Sequence, residues 1–520
     1  MAASWLKNAV FYEIYPQSFC DSNADGIGDF NGIIEKLPYI KSLGCNAIWM
    51  NPCYDSPFKD AGYDVRDHKK VAARYGTEED LVRLFEEAHK LGIKILLDLV
   101  PGHTSEEHPW FLESAKIEEN ALSDRYIWTD GAFCGGDGMP FIGGEYPRDA
   151  TYIINFFKCQ PALNYGYRDI KTPWQQPIDA PGPMATREAM KDIMRYWLDR
   201  GCDGFRVDMA DSLVKNDHGV KVATMAVWRD IAGAIHQEYP DAALVSEWNH
   251  PDQALACGFD MDFYLNWDGN GYSVLMRDYR TDSKGNVSPD NSYFRADATR
   301  DITSFLKDYL PQYEKSKDLG LWCFLTCNHD TKRPSLVLDD AERRLAYAFI
   351  FTMPGAPFLY YGDEIGMRYR FLPSKEGGYQ RTGSRTPMQW SSDKNLGFSQ
   401  ADAEKLYLPV DPAADAPTVE SQEKDPNSML HFVRGLIALR GAHADLGNYS
   451  PFAVYHAEAG DRLFAYKRGE YLLAVNPGRE EKALPLDGAY EAVYTIGTAA
   501  IEGEALHLGA QSFAVLKPKA

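Results

Sequence analysis

Short runs of β-branched, aromatic and aliphatic residues recur along most of the chain. Between them lie longer stretches whose apolar residues repeat at helical spacing. The runs at 10–19 (VFYEIYPQSF), 47–50 (AIWM), 95–100 (ILLDLV), 204–208, 243–248, 259–263, 323–328 and 357–361 predict eight strands. Helical periodicity covers 32–43 and stops at Gly44. Thr77-Glu78-Glu79-Asp80 resembles a capping box whose last member is Asp, opening a helix that runs to 91 with Gly92 as its stop. Further helices are predicted over 186–200 and 428–439.

Strands alternating this regularly with helices imply a parallel sheet with crossover helices, and eight of them fit a (β/α)8 TIM barrel with insertions. A doubly wound sheet competes, but no Gly-rich phosphate loop follows the first strand. From 104 to 175 the alternation gives way to Gly, Pro and aromatics, too long for a plain loop, which predicts an inserted subdomain. The barrel is then expected over 1–103 and 176–445. From 446 to 520 short strand-like runs separated by turns such as Asn476-Pro477-Gly478 predict a C-terminal antiparallel β-sandwich domain.

With 520 residues, 45% of them hydrophobic, the chain can bury large cores, and its net charge of −21 excludes nucleic-acid or acidic-membrane partners that require a basic surface. The nine cysteines are odd in number and never in CxxC spacing, so neither a disulfide framework nor a zinc site is expected. No basic leader and no bilayer-length apolar stretch is visible, and a cytoplasmic location is expected.

The chemistry concentrates where predicted strands end, the face on which such barrels carry their active sites. Acids stand there at Asp98, Asp208, Glu247, Asp330 and Asp363. Arg206 lies two residues before Asp208, on the same face of the strand, where a guanidinium lowers a carboxyl's pKa and keeps it ionised. An ordinary Arg–Asp pair is the bland alternative. Asp208, Glu247 and Asp330 among tryptophans and histidines point to glycoside hydrolysis by two carboxylates and a helper. After the first strand, Asp21, Asn23, Asp25, Ile27 and Asp29, with Gly26 at the sixth place, match the first nine positions of a calcium loop. Gly32 at the twelfth rules out an EF-hand, and Ile27 offers only its carbonyl; spacing alone fits an Asx-rich turn equally.

The segments DLVPGHTS (98–105), GFRVDM (204–209), SEWNHP (246–251) and CNHDTKR (327–333) resemble the four ordered motifs of glycoside hydrolase family 13, the α-amylase family. YEIYPQSFCDSNADGIGD, KDAGYDVRDH, QPALN, PFLYYGDEIGM and RTPMQW are similar to the oligo-1,6-glucosidase and α-glucosidase branch. The resemblance implies that Asp208 is the nucleophile, Glu247 the acid and base, and Asp330 the carboxylate that holds sugar hydroxyls. It implies that His103 and His329 donate to the same sugar, that Tyr63 stacks beneath it, and that Asp60 and Arg381 grip a non-reducing terminal glucose, with Arg385 as the alternative arginine. It also favours Ca2+ at Asp21, Asn23, Asp25, Ile27 and Asp29, and no organic cofactor.

Two positions depart from the pattern. Gly102 stands where the family commonly has Asn, removing a polar anchor for the subdomain, and Met209 follows the nucleophile where Val goes with α-1,6 and smaller residues with α-1,4 linkages. Linkage therefore stays open. The implied function is a retaining exo-acting α-glucosidase on short oligosaccharides or disaccharides. The alternative is a glucosyl-transferring relative of the sucrose isomerase or trehalose synthase type. A non-catalytic relative resembling transporter heavy chains would be expected to have lost acids of the triad, and an endo-acting amylase is disfavoured by Asp60 and Arg381.

Overall fold

The computed structural model describes residues 3–282, 286–377 and 381–519. Its eight parallel strands are β1 (Phe11–Ile14), β2 (Ala47–Met50), β3 (Lys94–Leu99), β4 (Gly204–Val207), β5 (Ala243–Ser246), β6 (Met261–Phe263), β7 (Leu321–Cys323) and β8 (Phe358–Tyr360). They run in the order β7-β6-β5-β4-β3-β2-β1-β8. A parallel bridge between Leu325 and Phe358 joins the two ends of that order, with Thr326 N donating to Phe358 O at 2.9 Å. The ring is closed, as predicted. Six of the eight predicted strands are longer than the observed ones, and in several the C-terminal residues turn into the loops that carry the polar chemistry.

Period-two alternation sorts the strand residues. Tyr12, Ile48, Leu97 and Leu244 face outward into the core shared with the helices. Phe11, Trp49, Leu96, Val245, Phe263 and Phe358 face inward and fill the barrel. Rings pack through this plug, Phe11 stacked on Phe358 with centroids 4.2 Å apart and Phe263 edge-on to Phe358 at 4.8 Å.

The helices begin where the sequence offers capping side chains. Asp29 accepts from Gly32 N at 2.7 Å and starts α1 (Phe30–Leu43). Thr77 and Asp80 form the reciprocal box that opens α2 (Glu78–Lys90). α3 (Pro181–Leu198) starts five residues before the predicted 186, with proline in its first turn, where a missing N–H costs nothing.

Between β3 and α3 the chain forms a short helix at Pro109–Ser114 and a ribbon of Phe141–Gly143 against Thr151–Ile153. Bridges from His103 to Ala162 and from Tyr167 to Lys215 tie this segment to the barrel's C-terminal face. After α4 (Met429–Ala442), an antiparallel five-stranded sheet and a three-stranded sheet enclose a separate apolar layer of Leu472, Ala474, Leu484, Leu506, Leu508 and Leu516. All nine cysteines are free thiols. Among the described residues no helix is long and apolar enough to cross a membrane.

Gly204 shows how tightly the ring is drawn. Its φ is +145°, and an added Cβ would lie 1.9 Å from the carbonyl oxygen of Ala243 on β5. Gly204→Ala is expected to destabilise the protein by roughly 3 kcal/mol through backbone strain and a parted β4–β5 pair. A lowered denaturant midpoint checks this; an unchanged midpoint would show that the ring yields there.

Candidate active site

The inward face that is apolar at the bottom of the barrel becomes charged one strand period higher. Two residues beyond Phe11, Leu96, Gly204 and Val245 stand Glu13, Asp98, Arg206 and Glu247, and Asp208 follows Arg206 by two more. Register pairs Asp98 with Arg206 across β3 and β4. Arg206 is 1% exposed and serves three carboxylates. Its Nη1 donates to Asp98 Oδ1 at 2.8 Å and to Asp208 Oδ1 at 3.2 Å, and its Nη2 to Glu247 Oε2 at 2.6 Å.

Arg206, expected to keep Asp208 ionised, is divided among three acids. Burial pushes the Asp208 carboxyl up and Arg206 pulls it down, but Glu247, Asp98 and Asp330 push it up again, and the net direction is upward. The strand register hands the closer guanidinium contacts to Asp98 and Glu247. Three acids share one cation, so the titration belongs to the cluster rather than to one residue. Glu247 gains a further donor from the N–H of Met209 at 3.0 Å. Met209 takes the left-handed conformation, φ +41°, costly for a residue with a side chain, and this local strain accompanies the aim of its amide at Glu247.

A second cluster surrounds Asp330. Its Oδ1 accepts from Arg381 Nη1 at 2.7 Å and from Arg385 Nη2 at 2.9 Å, and its Oδ2 lies 3.2 Å from His329 Nε2. Burial pushes this carboxyl up, but the three cationic neighbours outweigh it and hold it well below the usual carboxylate range. His329 is fully buried, which opposes its charge; Asp330 and Glu13 nonetheless push it up to about 9. Its Nδ1 is 2.9 Å from Glu13 Oε1. Burial raises Glu13 to about 6 against the pull of His329. Arg381 also donates to Asp60 Oδ1, whose other oxygen accepts from Gln160 Nε2 at 2.8 Å. Both arginines considered from the sequence thus meet Asp330, but Arg381 alone of the two reaches Asp60. Part of the intervening segment, 378–380, lies outside the described residues.

Asp208, Glu247 and Asp330 reach one cavity of about 170 Å³ together with Asp60, Tyr63, His103 and Arg381, and Phe156, Phe157 and Met209 add apolar surface. That is smaller than the roughly 300–1,000 Å³ of pockets for drug-sized ligands and suits a single ring. Arg206 and His329 stand behind the cavity wall. Tyr63 stacks on His329 with centroids 5.4 Å apart, and its hydroxyl donates to Asp98 Oδ2 at 2.9 Å. Both ring nitrogens of His103 are engaged within the protein: Nε2 lies 3.1 Å from Tyr63 O and Nδ1 3.2 Å from Asn155 Nδ2. Burial lowers His103 to about 3, so the ring is neutral, donating through Nε2 and accepting at Nδ1. Glu13, Asn155 and the Phe156-Phe157 pair were not anticipated. An acid inside the apolar run VFYEIY is a signal for Glu13; the other three stand in the irregular inserted segment and carry no such signal.

The loop from Asp21 to Asp29 folds as nested Asx turns. Asp21 accepts from the backbone N–H of Asn23, Ala24 and Gly26, Asn23 from Asp25, and Asp25 from Ile27. Asp29 accepts from Ser22 as well as capping α1. Gly26, at φ +95°, is required because a Cβ would lie 2.2 Å from Lys405 O. Among the described residues no three Asp, Glu, His or Cys side chains are grouped to hold a metal. Any calcium donors here are the free lone pairs of Asp21, Asn23, Asp25 and Asp29 and the Ile27 carbonyl, acting beside these turns.

Comparison with known proteins places these features in a wider set. Residues 13–448 match the family model for the α-amylase catalytic domain. The chain is 34% identical over 490 residues, 85% of its length and 77% of the relative's, to a trehalose synthase/amylase from Mycolicibacterium smegmatis. It is 32% identical to an oligo-1,6-glucosidase from Halalkalibacterium halodurans, covering 91% of this chain and 90% of the other. Among solved structures, a mutant isomaltulose synthase from Erwinia rhapontici NX5 in complex with its natural substrate sucrose superposes with a TM-score of 0.81 at 26% identity over 99% of each chain.

The His329 pairing makes stability depend on pH. A histidine raised from 6.5 to about 9 contributes fully below pH 6.5, on the order of 3 kcal/mol, and loses that contribution as pH rises through 9. The gap in denaturant midpoint between wild type and His329→Gln is expected to be wide at pH 6 and to narrow above pH 9. A gap independent of pH would contradict a charged imidazole.

Proposed function

The chain belongs to the α-amylase family, glycoside hydrolase family 13, and on that premise we propose that it is a retaining exo-acting α-glucosidase that removes glucose from the non-reducing end of short α-glucosides. The observation that carries this reading is the Asp60–Arg381–Asp330 chain on the wall of a cavity suited to one sugar ring. Such a wall leaves no path for a polymer to continue past the terminal glucose, and its fixed charges are matched to hydroxyl groups.

In this reading Asp208 attacks the anomeric carbon and forms a β-glucosyl ester while Glu247 gives a proton to the leaving oxygen; Glu247 then takes a proton from the water that opens the ester. One guanidinium bridges both carboxyls, which supports the short separation of a retaining pair. It also keeps the charge balanced. As Asp208 loses its negative charge to the ester, Glu247 gains one by giving up its proton, and both remain on Arg206. The cation therefore need not move during the step, which is electrostatic preorganisation. Asp330, held ionised by His329, Arg381 and Arg385, accepts from sugar hydroxyls. Tyr63 supplies a ring face set by its stack on His329.

A second reading, transfer of the glucosyl group to another sugar, is favoured by one feature of the cavity. Phe156, Phe157 and Met209 line it beside Asp208, and apolar walls disfavour water as the acceptor. Relatives named for trehalose and isomaltulose synthesis are consistent with that outcome.

A proton NMR time course with isomaltose, maltose, sucrose and trehalose is expected to show free α-glucose as the first product, from the substrate whose linkage fits. New disaccharides appearing before free glucose would move the transfer reading ahead. Asp60→Ala is expected to raise KM for disaccharides at least tenfold by ungripping the terminal glucose, and unchanged kinetics would overturn the exo assignment. We also propose calcium in the loop at 21–29. Chelator is then expected to lower the melting temperature, because a ligand bound only to the native state stabilises it, and an unshifted temperature would leave the Asx turns as sufficient.

A further inference from the structure

His103 is held from a side that the sequence motif does not contain. Gly102 leaves an opening beside it, and a Cβ there would stand 2.9 Å from Asn155 Nδ2. The Asn155 amide, which comes from the inserted segment, fills that opening. Its Nδ2 donates to Gly102 O at 2.9 Å and lies 3.2 Å from His103 Nδ1, while its Oδ1 accepts from Lys215 Nζ at 3.1 Å. Lys215 donates also to Ser212 O at 3.0 Å, in the turn that follows the nucleophile strand. Its backbone is clamped to the inserted segment, with Lys215 N donating to Gly166 O and Arg168 N to Lys215 O.

We infer that Asn155 and Lys215 are positioning residues for the sugar site, fixing which nitrogen of His103 carries the proton and tying the inserted segment to the loop after Asp208. An amide can point its nitrogen or its oxygen at His103. Lys215, a donor only, fixes the oxygen on itself and so turns the nitrogen toward His103 Nδ1. The imidazole is then obliged to carry its proton on Nε2, where it meets Tyr63 O and the cavity. Phe156, the residue after Asn155, packs edge-on against the same ring with centroids 5.9 Å apart, so one amide sets both the polar and the apolar side of this wall. Burial pushes the Lys215 ammonium down to about 8, in keeping with a cation whose two acceptors are neutral oxygens. The opening left by Gly102 is thus filled by an amide from the inserted segment.

The inference rests on the glucosidase reading for its kinetic arm only. Asn155→Asp keeps the shape, can pair with Lys215, and cannot donate to His103. It is expected to leave the melting temperature unchanged or higher while kcat/KM falls at least tenfold, and Lys215→Arg is expected to retain most activity where Lys215→Met does not. A parallel loss of stability and activity in Asn155→Asp would mark a merely structural role and overturn the proposal, as would kcat/KM within twofold of wild type. The second readout needs no substrate. In protein labelled with 15N-histidine, with the His103 signal assigned from its loss in His103→Gln, the wild-type ring is expected to be neutral with its proton on Nε2. In Asn155→Asp the proton is expected to be shared with Nδ1 and the titration to rise. An unchanged His103 signal would overturn the assignment even if the wild type proved to have no glucosidase activity, a result that by itself would fail the functional reading alone.

Discussion

A single buried guanidinium shared by three carboxylates governs this molecule. Arg206 is enclosed by the barrel, and removing a charge from water costs several kcal/mol unless close partners compensate. Asp98, Asp208 and Glu247 supply that compensation from three neighbouring strands or their ends. The arrangement demands that β3, β4 and β5 keep their register, which is why Gly204 must let β5 approach so closely. It also leaves more acid than base around one cation, which pushes the Asp208 carboxyl up.

Around Asp330 itself the balance is reversed. Asp330 is a single carboxylate among Arg381, Arg385 and the His329 imidazolium, whose remaining charge is met by Asp60, Glu376 and Glu13. Two acids that face the same cavity are thus driven in opposite directions by their neighbours, Asp208 up and Asp330 down. Tyr63 links the clusters, since its hydroxyl meets both Asp98 and His329.

The irregular segment after β3 adds what the barrel alone lacks. Gln160 steadies Asp60, Asn155 steadies His103, and the phenylalanines beside Asn155 form apolar wall. These residues shape one side of the cavity, and the strand-end acids line the other.

The primary sequence by itself determined the eight-strand alternation, the Thr77–Asp80 capping box, the turn chemistry at 21–29, and the acids at the ends of β3, β4, β5 and β7. Each of these depends on residues close together in the chain, where strand period, helix period and glycine or proline geometry act directly. Helix α3 begins five residues before the predicted 186, in the Pro181-Gly182-Pro183 turn, where apolar periodicity has not yet begun. Only the tertiary structure decided how Arg206 divides itself, because its partners are brought in by register from other strands. The choice between Arg381 and Arg385 was decided in the same way, by which guanidinium can reach Asp60 and Asp330 together. So was the replacement of an amide at position 102 by Asn155. Sharing a counter-charge or filling an opening depends on distances of a few ångströms between residues far apart in the chain, and no local pattern encodes those distances.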